Sequence, residues 1–169
     1  ISYGTSHRYN KYSYFTTRLA RNGDLVAHDK DHSILRNISV QRVIEKDLIS
    51  VNVNGNISDL VRAISKSHRN IFPVINDDNE LKGVILLDDV RHLIFNQEKY
   101  DIPLSAIMHP PPAVVNRTDS LDTVMEHFDN TQAWNLPVLK EGKYYGFLSK
   151  SKIFTAYRQH LSKNDEDVF

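Results

Sequence analysis

Apolar residues recur at Ile57, Leu60, Val61 and Ile64, the i, i+3, i+4, i+7 spacing that places one stripe along a helix. The same stripe returns 64 residues later at Leu121, Val124, Met125 and Phe128. Each is followed by a short apolar strand broken by a proline, Phe72-Pro73-Val74 and Leu136-Pro137-Val138, again 64 apart. Upstream, Val51 corresponds to Val115 within the β-branched stretches "ISVNV" and "AVV". Downstream, the turns "NDDNE" and "KEGK" differ by one residue, so Gly83 and Gly146 are 63 apart. A change of that size is what a surface hairpin tolerates. The chain is an internal repeat, and each copy has to be read as one unit.

The pattern predicts strand, helix, strand, strand, helix in each copy. In the first these fall over residues 49–53, 57–67, 71–76, 81–87 and 89–95. In the second they fall over 113–115, 120–130, 134–140, 143–149 and 150–161. Asn56 or Ser58, and Asp119 or Ser120, are placed to cap the first helix of each copy by accepting from its free N–H groups. A unit of roughly 50 to 60 residues buries too little surface alone to offset its chain entropy. The expected fold is therefore α/β (α+β), two βαββα units packed about an approximate two-fold axis. The expected divisions are a linker and helix over 1–37, a first unit over 38–101, and a second unit with the C-terminal helix over 102–169.

Bulk properties narrow the function. The 169 residues carry 21 basic and 21 acidic side chains, so the net field attracts neither nucleic acid nor anionic lipid. With no cysteine there is no disulfide and no thiolate metal site. The longest purely apolar run, Val84 to Leu87, is far short of the roughly 20 residues that cross a bilayer. The chain begins at Ile1 without Met or a signal-like segment, which suggests a piece of something longer. Enzyme motifs are missing: no G-x-S-x-G, H-E-x-x-H, P-loop or G-x-G-x-x-G occurs, and the adjacent Asp88 and Asp89 diverge at a helix start. No catalytic activity is expected.

Smaller motifs have plainer readings. "HDKDH" puts His28 and His32 four apart, as a helical metal pair would be, but Gly23 upstream and the lack of apolar periodicity favour an exposed linker. "NDDNE" lacks the closing Glu and spaced ligands of a calcium loop and reads as a turn. "HPPPAVV" is a stiff, extended connector that cannot donate ladder bonds. The basic residues of "HRYNKYSYF" and "TTRLARNG" are too sparse to anchor a membrane alone.

The repeated unit, with its apolar-Pro-Val strand and a Gly before two apolar residues and a polar helix start, resembles a tandem pair of CBS domains over about residues 40–161. The flanks "YFTTRLARNGDLVAHDKDHSIL", "LLDDVRHLIFNQEKYD", "MHPPPAVV" and "AWNLPVLKEGKYYGFLSKSKIFTAYR" resemble the cytoplasmic C-terminal region of CLC-type chloride channels and transporters. That resemblance implies a regulatory module on the cytoplasmic face of a membrane, homodimeric and attached to a transport domain, with AMP, ADP or ATP as ligand. It implies no nucleic-acid partner and no conduction by this chain itself. The alternatives are a dimerisation module that binds no ligand, and a regulatory pair from a different transporter or enzyme.

Nucleotide-binding CBS units resemble one another in a Gly, two apolar residues, Thr or Ser, two more residues, then Asp. The hydroxyl and the helix N-terminus donate to phosphate, and the carboxylate accepts from ribose. Here Gly83-Val-Ile-Leu86-Leu-Asp-Asp89 keeps the carboxylate and loses the hydroxyl. Gly146-Phe-Leu-Ser149-Lys-Ser-Lys152 keeps the hydroxyl and puts an ammonium, which only donates, in place of the carboxylate. The candidate site residues are Asp89 for ribose, Val115, Trp134 and Asn135 as the base-side wall, and Ser149 and Lys152 for phosphate. Asp89 is equally favoured as a first-turn residue complementing the macrodipole, and Trp134 is favoured over its ligand role as a core or interface packing aromatic.

Overall fold

The computed structural model describes residue 35 and residues 38–166, with side chains to residue 162. Helix α1 (Val40–Val43) leads into the first unit. That unit comprises β1 (Val51–Asn52), α2 (Ile57–Ile64), β2 (Ile71–Ile75), β3 (Leu81–Leu86) and α3 (Leu87–Ile94). Two short 3-10 turns, Gln97–Lys99 and Leu104–Ala106, connect it to the second. There follow β4 (Val115–Asn116), α4 (Leu121–Thr131), β5 (Asn135–Lys140), β6 (Lys143–Ser149) and α5 (Lys150–Glu166). The predicted α/β fold of two βαββα units is the observed one, with α2 ending three residues earlier than expected.

Each unit has a three-stranded sheet, β1-β2-β3 and β4-β5-β6, with the first pair parallel and the second antiparallel. The repeat extends to irregularities: register shifts fall at Val74/Ile75 and at Val138/Leu139, 64 residues apart. The predicted caps resolve to one residue each. Asn56 accepts from Asp59 N–H at 3.2 Å while the Asp59 carboxylate accepts from Asn56 N–H at 3.0 Å, a closed capping box. Ser120 accepts from Thr123 N–H at 3.3 Å, while Asp119 instead accepts from Asn116 N–H. The stripe residues Ile57, Leu60, Leu121, Val124 and Phe128 are buried at the sheet faces. Each such side chain contributes on the order of 1.5–3 kcal/mol.

The sequence periodicity did not reveal how the units exchange their lead-in segments. Glu45, which precedes the first unit, pairs with Phe147 of the second: Glu45 N–H donates to Phe147 O at 2.8 Å and Phe147 N–H to Glu45 O at 2.9 Å. His109, 64 residues on, pairs with Val84 of the first unit at 2.8 and 2.9 Å. The free edges of β3 and β6 are thereby covered. The cores cross in the same way. Ile38, Val40 and Val43 pack into the core of the second unit, and Ile102, Leu104 and Ile107 into that of the first. The hairpins also meet: Tyr144 N–H donates to Asn79 O at 2.9 Å, Asn79 Nδ2 donates to Tyr144 O at 3.0 Å, and Lys143 lies 3.5 Å from Glu80.

Exchange explains the two motif glycines. A Cβ at Gly146 would lie 2.6 Å from Glu45 O, and one at Gly83 would lie 2.9 Å from His109 O. Backbone cannot yield as a side-chain tip can. Gly146→Ala should therefore destabilise the chain by about 1–3 kcal/mol, and Gly83→Ala should also destabilise it. Urea titration checks this, and wild-type midpoints would show that the crossing strands do not rest on these residues.

Glu80 accepts from Lys82 and from Asn76 at 2.9 Å, and these bonds, with Lys143 nearby, lower its pKa from 4.5 to about 2. A carboxyl with a depressed folded-state pKa stabilises the fold above its unfolded value and loses that contribution as pH falls toward the folded one. The window is therefore from 4.5 down to about 2. Glu80→Gln should melt with a weaker pH dependence across that window than the parent, as read by circular dichroism.

A candidate ligand cleft between the two units

A cleft of about 350 Å³ opens beside α3, where the lead-in of the first unit passes the second. Glu45 and Leu48 come from that lead-in. His68, Arg69, Asn70 and Ile71 come from the turn into β2, and Leu86 and Asp88 from the junction of β3 with α3. Asn135 and Phe147 close it from the second unit. The wall is apolar at Leu48, Ile71, Leu86 and Phe147 and polar at Glu45, His68, Arg69, Asn70, Asp88 and Asn135, a more polar lining than most small-molecule sites have.

Arg69 is the cleft's cation, and its charge is already engaged. Its Nη2 lies 3.0 Å from Glu45 Oε1 and 2.9 Å from Asp47 Oδ2, and its Nε donates to Asp47 at 3.0 Å. Burial opposes the charge, but the hydrogen bonds that Arg69 donates to Asp47 and Glu45, with their negative charge, outweigh it and raise the pKa above the ordinary arginine value. The same Asp47 charge, added to burial, pushes the nearby Tyr144 phenol upward. Asp88 pairs with Arg91 at 2.6 Å on its own helix, is largely exposed, and can accept further bonds. With Asp88 and Asp89 both in the first turn of α3, its N-terminus is already dressed with negative charge.

The structure brings some of the sequence candidates to this cleft and not others. Asn135 lines it; Asp88 lines it in the place assigned to its neighbour. Asp89 Oδ2 instead faces His109 Nε2 at 3.7 Å. Val115 is 0% exposed, paired with Val138 in the second core, and so is a packing residue with no surface to offer a base. Trp134 is 73% exposed, outside both the cleft wall and either core, with the Lys150 ammonium 5.7 Å from its ring. Ser149 is buried, and its hydroxyl accepts from Lys152 N–H at 3.2 Å and contacts Ser151 at 3.2 Å, so it caps α5. Lys152 lines a separate groove of about 240 Å³ with Arg42 and His160.

Sequence reasoning missed Glu45, Leu48, His68, Arg69 and Phe147. The available signal was the 64-residue offset carried further upstream, where Ile38, Val40 and Val43 match Ile102, Leu104 and Ile107. Those matches show that the repeat begins before β1. The pair at His28 and His32 lies outside the described residues, and among the described residues no group of three metal-ligating side chains occurs.

Two units that exchange lead-in segments around a cleft define a paired-domain architecture. The CBS-domain family profile matches residues 40–96 and 104–159, and the chain belongs to that family. Its fold is similar to that of CBSX2 in complex with AMP: 25% identity, 72% of this chain and 96% of that one covered, TM-score 0.60. It is also similar to the CBS domain of a bacterial CNNM/CorC family Mg2+ transporter in complex with ATP, at 14% identity, coverage of 76% and 93%, and TM-score 0.66. Among curated proteins it is similar to chloride channel protein CLC-f of Arabidopsis thaliana, 22% identical over 79% of this chain, and it spans about a fifth, 20%, of that protein's length. Among the described residues no helix is long and apolar enough to cross a membrane.

The two helix starts make a stability test. Leu86 occupies the N-cap of α3, 42% exposed and without a side-chain cap bond, where the second unit has Ser149. Ser149→Ala should cost about 1 kcal/mol, and Leu86→Ser should gain several tenths by supplying the missing cap. Opposite signs in denaturant titrations are the expected outcome, and a stabilising Ser149→Ala would remove the cap assignment.

Proposed function

We propose that this CBS pair is the regulatory module of a CLC-type chloride channel or transporter, homodimeric, held on the cytoplasmic face of the membrane, and responsive to adenine nucleotide through the cleft beside α3. The observation that carries the ligand is the cleft itself: Asp88 is placed to accept from ribose hydroxyls, with Leu48, Ile71, Leu86 and Phe147 as apolar surface for a base. The nucleotides bound by the similar CBSX2 and CNNM/CorC structures support the class of ligand. Similarity to CLC-f and the CLC-like flanks support the parent. Phe95, 83% exposed at the end of α3, is apolar surface that self-association would cover.

Charge sets the expected ranking among nucleotides. Arg69 is engaged by Glu45 and Asp47, and the start of α3 carries Asp88 and Asp89, so each added phosphate enters an unfavourable field. AMP should bind more tightly than ATP. One observation favours the ligand-free dimerisation reading instead: Ser149 caps α5 and Asp89 faces His109, so both residues kept from the motif already have structural partners.

Calorimetric titration with AMP, ADP and ATP separates the two readings. Binding abolished in Asp88→Ala and retained in Asp89→Ala, in the order AMP above ATP, is the expected result. Saturation at 100 times the dissociation constant should also add about 2.7 kcal/mol to stability. No heat at millimolar nucleotide, with a concentration-dependent dimer in sedimentation, would leave the structural reading standing.

A further inference from the structure

Away from the cleft, two cations lie against one phenol on the second unit, Tyr145, and a third, Lys140, acts on it through its charge. Lys46 Nζ donates to Tyr145 Oη at 2.8 Å and sits 4.2 Å from the ring centre, and the Arg117 guanidinium lies 5.4 Å from the same centre. The bond from Lys46 lowers the Tyr145 pKa from its ordinary value; desolvation opposes it, and the charges of Lys46, Arg117 and Lys140 add to the lowering. Among the described residues no carboxylate forms an ion pair with this cluster. The ion pairs among the described residues engage other cations and leave Lys46, Arg117 and Lys140 without an acidic partner. Arg117 Nη2 is held by Gln41 Oε1 at 2.9 Å, but its Nε is buried with no hydrogen-bond partner. A buried donor without an acceptor is costly and rare in a native fold.

The repeat supplies an internal control. The positions equivalent to Lys46, Arg117, Lys140 and Tyr145 in the other half are Pro110, Val53, Asn76 and Lys82. The same unit therefore folds with no such cluster, and its architecture does not require one. Stacking of a cation on an aromatic ring would account for Lys46 or Arg117 singly. It does not account for like charges gathered about one phenol with no carboxylate paired to them among the described residues.

We infer that Lys46, Arg117, Lys140 and Tyr145 form a binding site for a phosphate monoester, distinct from the cleft. Phosphate oxygens would accept from Lys46 and Arg117, and from the phenol, whose O–H is free to donate because Lys46 already supplies the bond to its oxygen. Lys140 adds attraction from the end of β5. Lys46 follows Glu45, which lines the cleft and pairs with Phe147, so a phosphate held here would grip the same lead-in strand that shapes the cleft. The phosphate source is either a soluble ester or a lipid headgroup.

The test is titration of the 169-residue chain with inorganic pyrophosphate, followed by amide NMR shifts. Saturable shifts at Lys46, Arg117 and Tyr145 are expected, with affinity lowered about tenfold or more in Lys46→Gln and in Arg117→Gln. Lys140→Gln, at an exposed position, should weaken binding without altering the melting temperature, which guards against a folding artefact. Co-sedimentation with phosphoinositide-containing phosphatidylcholine vesicles, lost in the same variants, would support the site with a lipid source. Pyrophosphate binding without vesicle binding would support it with a soluble source. Shifts confined to residues 149–152, undiminished binding in the variants, or no response to either probe at about 10 mM would overturn it. None of these outcomes depends on whether the cleft binds adenine nucleotide.

Discussion

The architecture depends on two pairs of backbone hydrogen bonds. Glu45 with Phe147, and His109 with Val84, each exchange both of their bonds across the boundary between the units at 2.8 to 2.9 Å. Each unit alone has a three-stranded sheet with an open edge and a core lacking part of its lid. The other unit's lead-in supplies both, so neither half is complete by itself. This turns two segments that are each too short to fold into one cooperative body. It also dictates sequence: glycine is required at Gly83 and Gly146 because a crossing backbone lies within 3 Å of any Cβ there.

Symmetry of the backbone has not kept the chemistry symmetrical. The start of α3 carries Leu86, Asp88 and Asp89, while the start of α5 carries Ser149, Lys150, Ser151 and Lys152. One helix N-terminus is therefore acidic and uncapped, the other basic and capped by a buried hydroxyl. Two equivalent phosphate sites cannot follow from so unequal a pair, since the macrodipole at the first is already answered by carboxylates. The acidic helix start, beside the cleft, is the one that repels phosphate.

Much of this was legible in the sequence. The helical stripes, prolines and turn pattern foretell every strand and long helix of both units, because period and turn chemistry act locally. The cleft was less legible. Asp89 and Asp88 are adjacent, and which of them faces the cleft depends on helix phase, a one-residue question that motif spacing leaves open. Val115 is a core residue because β4 is covered on the face that carries it, and no local pattern distinguishes that from a cleft wall. Arg69 lies 22 residues from Asp47 and 24 from Glu45, and only the crossing of the lead-in brings it to them. What the sequence hides is the long-range pairing, and the cleft is built from it.

Glu45 joins these threads. Its backbone forms the bridge to Phe147, its carboxylate holds Arg69, and its side chain lines the cleft. A ligand in the cleft therefore touches the strand that ties one unit to the other, rather than a loop that moves by itself. A ligand shifts a conformational equilibrium only by the difference in its affinity for the two states. Contacts shared between Asp88 of the first unit and Asn135 and Phe147 of the second exist only while the units keep their present spacing. Free energy gained from such contacts would be free energy for that spacing, so a ligand bound there would act on the relation between the two units.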